Sequence, residues 1–121
     1  MANGEDIMRI LLCCAVGMST SLLVRKMKKY AESNSINCTI WAIPAEAIHH
    51  HMDKADVILL GPQVRFLLRD VTNAASKKGV PVSIINTVDY GTFNAKEVLE
   101  LALKLVSDKD KNGMTSDTSK Q

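Results

Sequence analysis

The sequence predicts a three-layer α/β domain built on a parallel sheet, and three observations carry that prediction. Short apolar runs alternate with longer segments of helical periodicity along the chain. The first run, Met8-Arg9-Ile10-Leu11-Leu12-Cys13, is apolar almost throughout, as strands covered on both faces are. It ends in a small-residue loop that feeds straight into an amphipathic helix, the order expected of right-handed strand–helix–strand crossovers.

Each element follows from its own pattern. The helix after the loop spans about residues 19–32, with Leu23, Met27, Tyr30 and Ala31 at helical spacing and Lys26, Lys28 and Lys29 on the rest of its circumference. Ser33-Asn34-Ser35 closes it. Cys38-Thr39-Ile40-Trp41-Ala42-Ile43 reads as the second strand, and Pro44 opens a short, weakly patterned helix over 45–52. Asp56-Val57-Ile58-Leu59-Leu60 is the third strand, stopped by Gly61-Pro62. Val64, Leu67, Leu68, Val71 and Ala75 mark the third helix, which ends near Lys77-Lys78-Gly79, where basic residues and glycine suit a helix C-terminus. Pro81-Val82-Ser83-Ile84-Ile85 is the fourth strand; residues 86–94 read as a loop, and Ala95, Val98, Ala102, Leu105 and Val106 stripe a closing helix. Residues 107–121 are polar, have almost nothing to bury and read as a disordered tail.

Composition narrows the function. A chain of 121 residues with 46% hydrophobic content supports one compact domain, and so one site. A net charge of +2 and 4% aromatic residues give neither a basic stripe nor a stacking platform, which disfavours nucleic acid as a partner. No apolar stretch reaches the roughly 18–20 residues of a membrane span, and the N-terminus carries Glu5 and Asp6 where a signal peptide would be basic. The expectation is a cytoplasmic protein. There, three cysteines point to catalysis or packing rather than to disulfides.

Ligands of open α/β sheets bind beyond the carboxyl ends of the strands, so the loop after strand one is the place for chemistry. Cys14 opens that loop. Gly17 permits a backbone concavity of N–H groups, and the following helix adds unpaired amides and the positive end of its dipole. Such donors stabilise a thiolate over a thiol, and would hold a phosphoryl group on the sulfur equally well. Ser19, Thr20 and Ser21 offer hydroxyls that can cap the helix or touch phosphate oxygens. Strand alternation sends Cys13 to the opposite face, into the core. The plainer alternative is that both cysteines are small buried hydrophobes beside an ordinary turn.

Missing residues test the other chemistries. A nucleotide P-loop needs a lysine that this loop lacks. A low-molecular-weight tyrosine phosphatase or arsenate reductase has a similar layout with arginine six residues after its cysteine, and Thr20 stands there instead. Without that cation the loop binds an anion but does not stabilise a hydrolytic transition state, which favours a phosphocysteine relay over a hydrolase. Gln63, after the third strand, can cap its helix or face the loop; Asp89 and Tyr90, after the fourth, can line the same end or sit in a surface turn. Consecutive residues of a helix point about 100° apart, so His49, His50 and His51 do not converge on a metal, and neither metal nor cofactor is expected. A redox or metal module on Cys13-Cys14 is the remaining alternative, and adjacent cysteines rarely form an unstrained disulfide.

Over about residues 8–106, three segments together resemble one family. Cys14-Ala15-Val16-Gly17-Met18-Ser19-Thr20-Ser21-Leu22-Leu23 is similar to the phosphorylation loop of the IIB components of the sugar phosphotransferase system, lactose/cellobiose (chitobiose) family. Asp56-Val57-Ile58-Leu59-Leu60-Gly61-Pro62-Gln63 resembles that family's third strand and exit loop, and Tyr90-Gly91 fits before the closing helix. The resemblance implies a four-stranded parallel sheet in the order 2-1-3-4 with helices on both faces, and a IIB domain over 7–106. It implies that Cys14 accepts phosphate from a phosphohistidine of the IIA protein and passes it to a β-linked disaccharide carried by the membrane IIC transporter. The backbone of Ala15, Val16, Gly17, Met18, Ser19 and Thr20, with Ser21, would cradle the phosphate, and the chain would work peripherally at the membrane. The cysteine pair, Ala15-Val16, the histidine run and the polar tail depart from the family's usual pattern.

Overall fold

The computed structural model describes residues 7–14 and 18–119, with side chains over 7–14 and 21–108. Its elements are β1 (Met8–Cys14), α1 (Met18–Ser33), β2 (Cys38–Pro44), α2 (Ile48–His51), β3 (Val57–Leu60), α3 (Leu68–Ser76), β4 (Val82–Ile84), α4 (Thr87–Gly91) and α5 (Ala95–Ser119). Turns of 3-10 helix flank α2 at Ala45–Ala47 and Met52–Lys54, and another, Pro62–Leu67, leads into α3.

The four strands form one parallel sheet in the order β2-β1-β3-β4. Cys13 is in register with Leu60 on one side and Ile43 on the other, while Cys14 pairs with Pro44. At the opposite end of the β1–β3 ladder, Asp56 accepts from the Arg9 backbone N–H at 2.8 Å and from its guanidinium at 3.0 and 3.1 Å. That bonding holds the Arg9 pKa above its ordinary value and marks where the pairing begins.

Alternation along β1 and β3 divides the core in two. Ile10, Leu12 and Cys14, with Val57 and Leu59, pack under α1 and α5 against Leu23, Met27, Val98 and Leu99. Leu11 and Cys13, with Ile58 and Leu60, pack on the other face against Ile48, Met52, Val71 and Ala75. All five residues from Ile10 to Cys14 are at most 2% exposed. This two-sided burial is the physical content of the continuous apolar run in the sequence.

Two segments differ from expectation. Residues 86–94, expected as a loop, contain the helix α4: the Asn86 side chain accepts from the N–H groups of Val88 (2.7 Å) and Asp89 (3.3 Å), supplying its N-cap. Phe93, at φ +54°, then turns the chain into α5, which Asn94 caps by accepting from Glu97 N–H at 3.3 Å. The closing helix also continues past Val106 to Ser119, into the stretch read as a disordered tail. That stretch contains no proline, the residue most disruptive to a helix interior.

Candidate functional site

Three neighbouring strand ends deliver the site. Cys14 is the last residue of β1 and faces the α1–α5 side, 2% exposed. Beside it the β1–β3 ladder is extended by Gly61 N–H, which donates to the Cys13 carbonyl at 2.9 Å. The next ladder is extended likewise by Ile85 N–H, which donates to the Leu60 carbonyl at 2.8 Å. Capped by Asn86, α4 then turns Tyr90 back over the end of β1. The Tyr90 hydroxyl donates to Cys14 Sγ at 3.5 Å with its residue only 7% exposed.

Gly61 sets how tightly these groups meet. A Cβ there would lie 2.7 Å from Gln63 Oε1, 2.9 Å from Cys14 Sγ and 3.6 Å from Tyr90 Cε1. The first two distances are shorter than real Cβ contacts, so only glycine leaves the sulfur its place. The same construction puts the amide oxygen of Gln63 and the thiol sulfur near one point beside Gly61. Gln63 is exposed, and the cap position of its own 3-10 turn is Gly61, where no side chain bonds.

The other candidates fall out as follows. Ala15, Val16 and Gly17 lie outside the described residues. Met18, Ser19 and Thr20 form the start of α1, described for their backbone, and Ser21 is exposed in the same turn. The first four N–H groups of any α-helix lack intrahelical acceptors, and here they come four residues after the thiol. Asp89 goes elsewhere: it accepts from Asn94 Nδ2 at 3.5 Å and lines a groove against α5 with Asn86 and Glu97. Its work is in the turn. Of the histidines, His49 and His50 are exposed, and His51 Nδ1 accepts from Trp41 Nε1 at 3.1 Å, tying α2 to β2.

Cys13 is chemically distinct from its neighbour. It is fully buried on the opposite face, and burial, with lesser contributions from Cys14 and Glu46, pushes its thiol up to about 11. Cys38 on β2 is also shifted upward by burial. Both stay neutral and inert at physiological pH. Sequence reasoning missed Gly61, which it read only as a strand stop. No local signal marks a glycine whose missing Cβ matters to a residue 47 positions away.

A thiol that accepts a hydrogen bond from a phenol hydroxyl and precedes a helix N-terminus is in surroundings that favour an anion near its sulfur. Thr20 stands where a phosphatase of this layout carries arginine, and the described side chains around the sulfur, Tyr90 and Gln63, are uncharged.

Residues 9–101 match the family described as "PTS system, Lactose/Cellobiose specific IIB subunit". The chain is 42% identical over 98 residues to the oligo-beta-mannoside-specific EIIB component of Bacillus subtilis (strain 168), covering 81% of this chain and 95% of that one. It is 42% identical over 103 residues to the galactose-specific EIIB component of Lactococcus lactis subsp. cremoris (strain MG1363), with the same coverage of 81% and 95%. Among solved structures, the cellobiose-specific phosphotransferase IIB component from Borrelia burgdorferi superposes with a TM-score of 0.73 at 46% identity, over 86% of this chain and 95% of that one.

Proposed function

Since the chain belongs to the lactose/cellobiose-specific IIB subunits of the sugar phosphotransferase system, we propose that Cys14 is its phosphoacceptor, taking phosphate from phosphohistidine of the IIA subunit and delivering it to sugar. The observation that supports this most is the setting of Cys14 Sγ at the carboxyl end of the sheet, where Tyr90 Oη donates to it and Gly61 lies against it.

In the first half-reaction the Cys14 thiolate attacks phosphorus in line. The S–P bond forms as the P–N bond of the donor breaks, and the bonding pair stays with the imidazole nitrogen. In the second, a sugar hydroxyl attacks the same phosphorus, and the sulfur leaves as thiolate while the hydroxyl proton passes to a base outside this chain. Both steps depend on placement and electrostatics. The amides of residues 15–20 are assigned the phosphoryl oxygens, and Tyr90 Oη donates to sulfur in the free state and to a phosphoryl oxygen in the loaded one. Gln63 shapes the pocket through its amide. The missing arginine suits a relay, because water gains little help in attacking the phosphocysteine.

IIB components work with IIA and IIC partners, and among the described residues no helix is long and apolar enough to cross a membrane. We place the chain at the cytoplasmic face of its IIC transporter, with a β-linked disaccharide as the carried sugar, on the strength of its oligo-beta-mannoside- and cellobiose-specific relatives. The test is phosphoryl uptake from phosphoenolpyruvate through the general phosphotransferase proteins and IIA. Wild type and Cys13→Ala should be labelled and Cys14→Ser should not; label on the Cys14→Ser variant would refute the assignment.

A further inference from the structure

Charge is segregated between the two long helices that cover one face of the sheet. On α1 stand Arg25, Lys26, Lys28 and Lys29, all exposed, around the buried Met27. Glu32 is the one carboxylate of that helix. The ion pairs among the described residues, Arg9–Asp56 and Lys78–Asp53, engage none of the four cations. Lys26 Nζ lies over the Phe93 ring, 6.0 Å from its centroid, which keeps this cation on the flank toward the start of α5. Carboxylates gather elsewhere: Asp89, Glu97 and Glu100 line the groove between α5 and the end of β4, with Lys104 beside them.

Helical spacing turns the α1 cations into a strip. Leu22, Arg25 and Lys29 follow at i, i+3 and i+7 on the outward side, with Lys26 and Lys28 on either flank, and Leu22 is one of the few exposed large hydrophobic residues, at 36%. Two cations on a helix are an ordinary solvated face. Four within five residues, without carboxylate partners and apart from the acidic groove, give the molecule a field with a direction. A flat anionic surface fits that strip, because each lysine or arginine held near anionic headgroups raises partitioning roughly fivefold. The attitude this imposes is specific. Helix α1 begins four residues after Cys14 and runs back along the sheet, so Arg25 and Lys29 lie about 10 Å and about 16 Å along the helix from its start. A surface touching both lies side-on to the sheet, and the carboxyl end with Cys14 opens along that surface instead of into it.

We propose that the outward strip of α1, centred on Arg25 and Lys29 and flanked by Lys26 and Lys28, is a contact for anionic phospholipid headgroups that lays the domain side-on against a membrane. Direct lipid contact goes beyond the phosphoryl-carrier reading. It shares with that reading only the membrane as a location, and it does not depend on which thiol carries phosphate.

The experiment is co-sedimentation of the full chain with extruded vesicles, either of equal parts phosphatidylglycerol and phosphatidylcholine or of phosphatidylcholine alone, at low and high salt. Wild type is compared with Arg25→Gln/Lys29→Gln and with Lys54→Gln/Lys77→Gln, which removes the same charge from exposed positions outside α1. Melting temperature serves as the folding control for all of them. Wild type should sediment with the anionic vesicles at low salt, leave them at high salt and ignore phosphatidylcholine. The α1 variant should partition at least about tenfold less, and the Lys54/Lys77 variant within about twofold of wild type. Wild type that ignores anionic vesicles overturns the proposal, and so do equal losses in the two variants, which would make the binding a matter of net charge. An α1 variant that keeps its partitioning but takes phosphate from IIA more slowly in solution also overturns it, by giving the strip to a protein partner. Cys14→Ser should bind vesicles as wild type does, so a failed phosphoacceptor assignment and a failed lipid contact are read from separate assays.

Discussion

Cys13 lies among Leu11, Leu60 and Val64 with no exposed surface, and its thiol is pushed from the ordinary 9.0 to about 11 chiefly by burial. A folded-state pKa above the unfolded one makes the unfolded chain release its proton first. Stability contributed by the neutral thiol is therefore complete below pH 9 and is lost as the pH climbs toward 11. The slope cannot exceed that of one proton, about 1.4 kcal/mol per pH unit. Urea unfolding of wild type and Cys13→Ala at pH 8 and pH 10.5 should show the wild type losing more stability between the two; equal losses would contradict the assignment. Cys14, one residue on, gains Tyr90 and Gly61 as neighbours instead. That asymmetry was legible in the sequence, because a strand's period of two fixes which thiol faces which side. Gly61 was not legible. Its role is to leave room for a sulfur brought beside it by strand pairing, and the sequence shows only a glycine before a proline. Gly61→Ala should cut the rate of phosphoryl uptake at least tenfold, since a displacement of about 1 Å at the nucleophile costs that much or more. Its melting temperature should fall only a few degrees, and an unchanged uptake rate would show that the site tolerates the Cβ.

At the scale of elements, the long amphipathic pieces and buried strands announced themselves through periodicity, and α4 did not. Five residues are too few for a helical repeat to register, so residues 86–94 look like a loop. The available signal was Asn86, a favoured N-cap, which accepts from both Val88 and Asp89. Its consequence reaches the site, because α4 carries Tyr90 to the thiol. Asn86→Ala should destabilise the fold by about 1 kcal/mol, the usual worth of a cap. It should also lower phosphoryl uptake by loosening Tyr90, whereas Thr92→Val, at the far end of the same helix, should leave uptake near wild type. Equal effects of the two variants would mean that α4 matters only as a packed element. Asp89 shows the limit of reading a short helix from sequence: one position from Tyr90, it points to Asn94 and the α5 groove instead of the thiol.

Across the whole molecule, β1 and β3 are the shared floor of two cores, and the site stands where both end. Ile58, fully buried on the face of the sheet opposite Cys14, belongs to the other core. Ile58→Ala should cost about 2–5 kcal/mol by leaving a cavity. Phosphoryl uptake per folded molecule should persist, which denaturant titration beside an uptake assay at low temperature will check. The order β2-β1-β3-β4 sets the ends of β1, β3 and β4 side by side, so that Gly61 after β3 and Tyr90 after β4 both meet the Cys14 sulfur. Strand alternation with helices predicted the layers, but which neighbours would share the site follows from pairing between segments far apart in the chain. The central claim is that one of two adjacent thiols carries the phosphate, and intact mass with site mapping tests it most directly. After phosphoryl transfer from IIA, the wild-type chain and Cys13→Ala should each gain one adduct of about 80 Da, mapped in both to Cys14. An adduct on Cys13, on a histidine, or on the Cys14→Ser chain would contradict it.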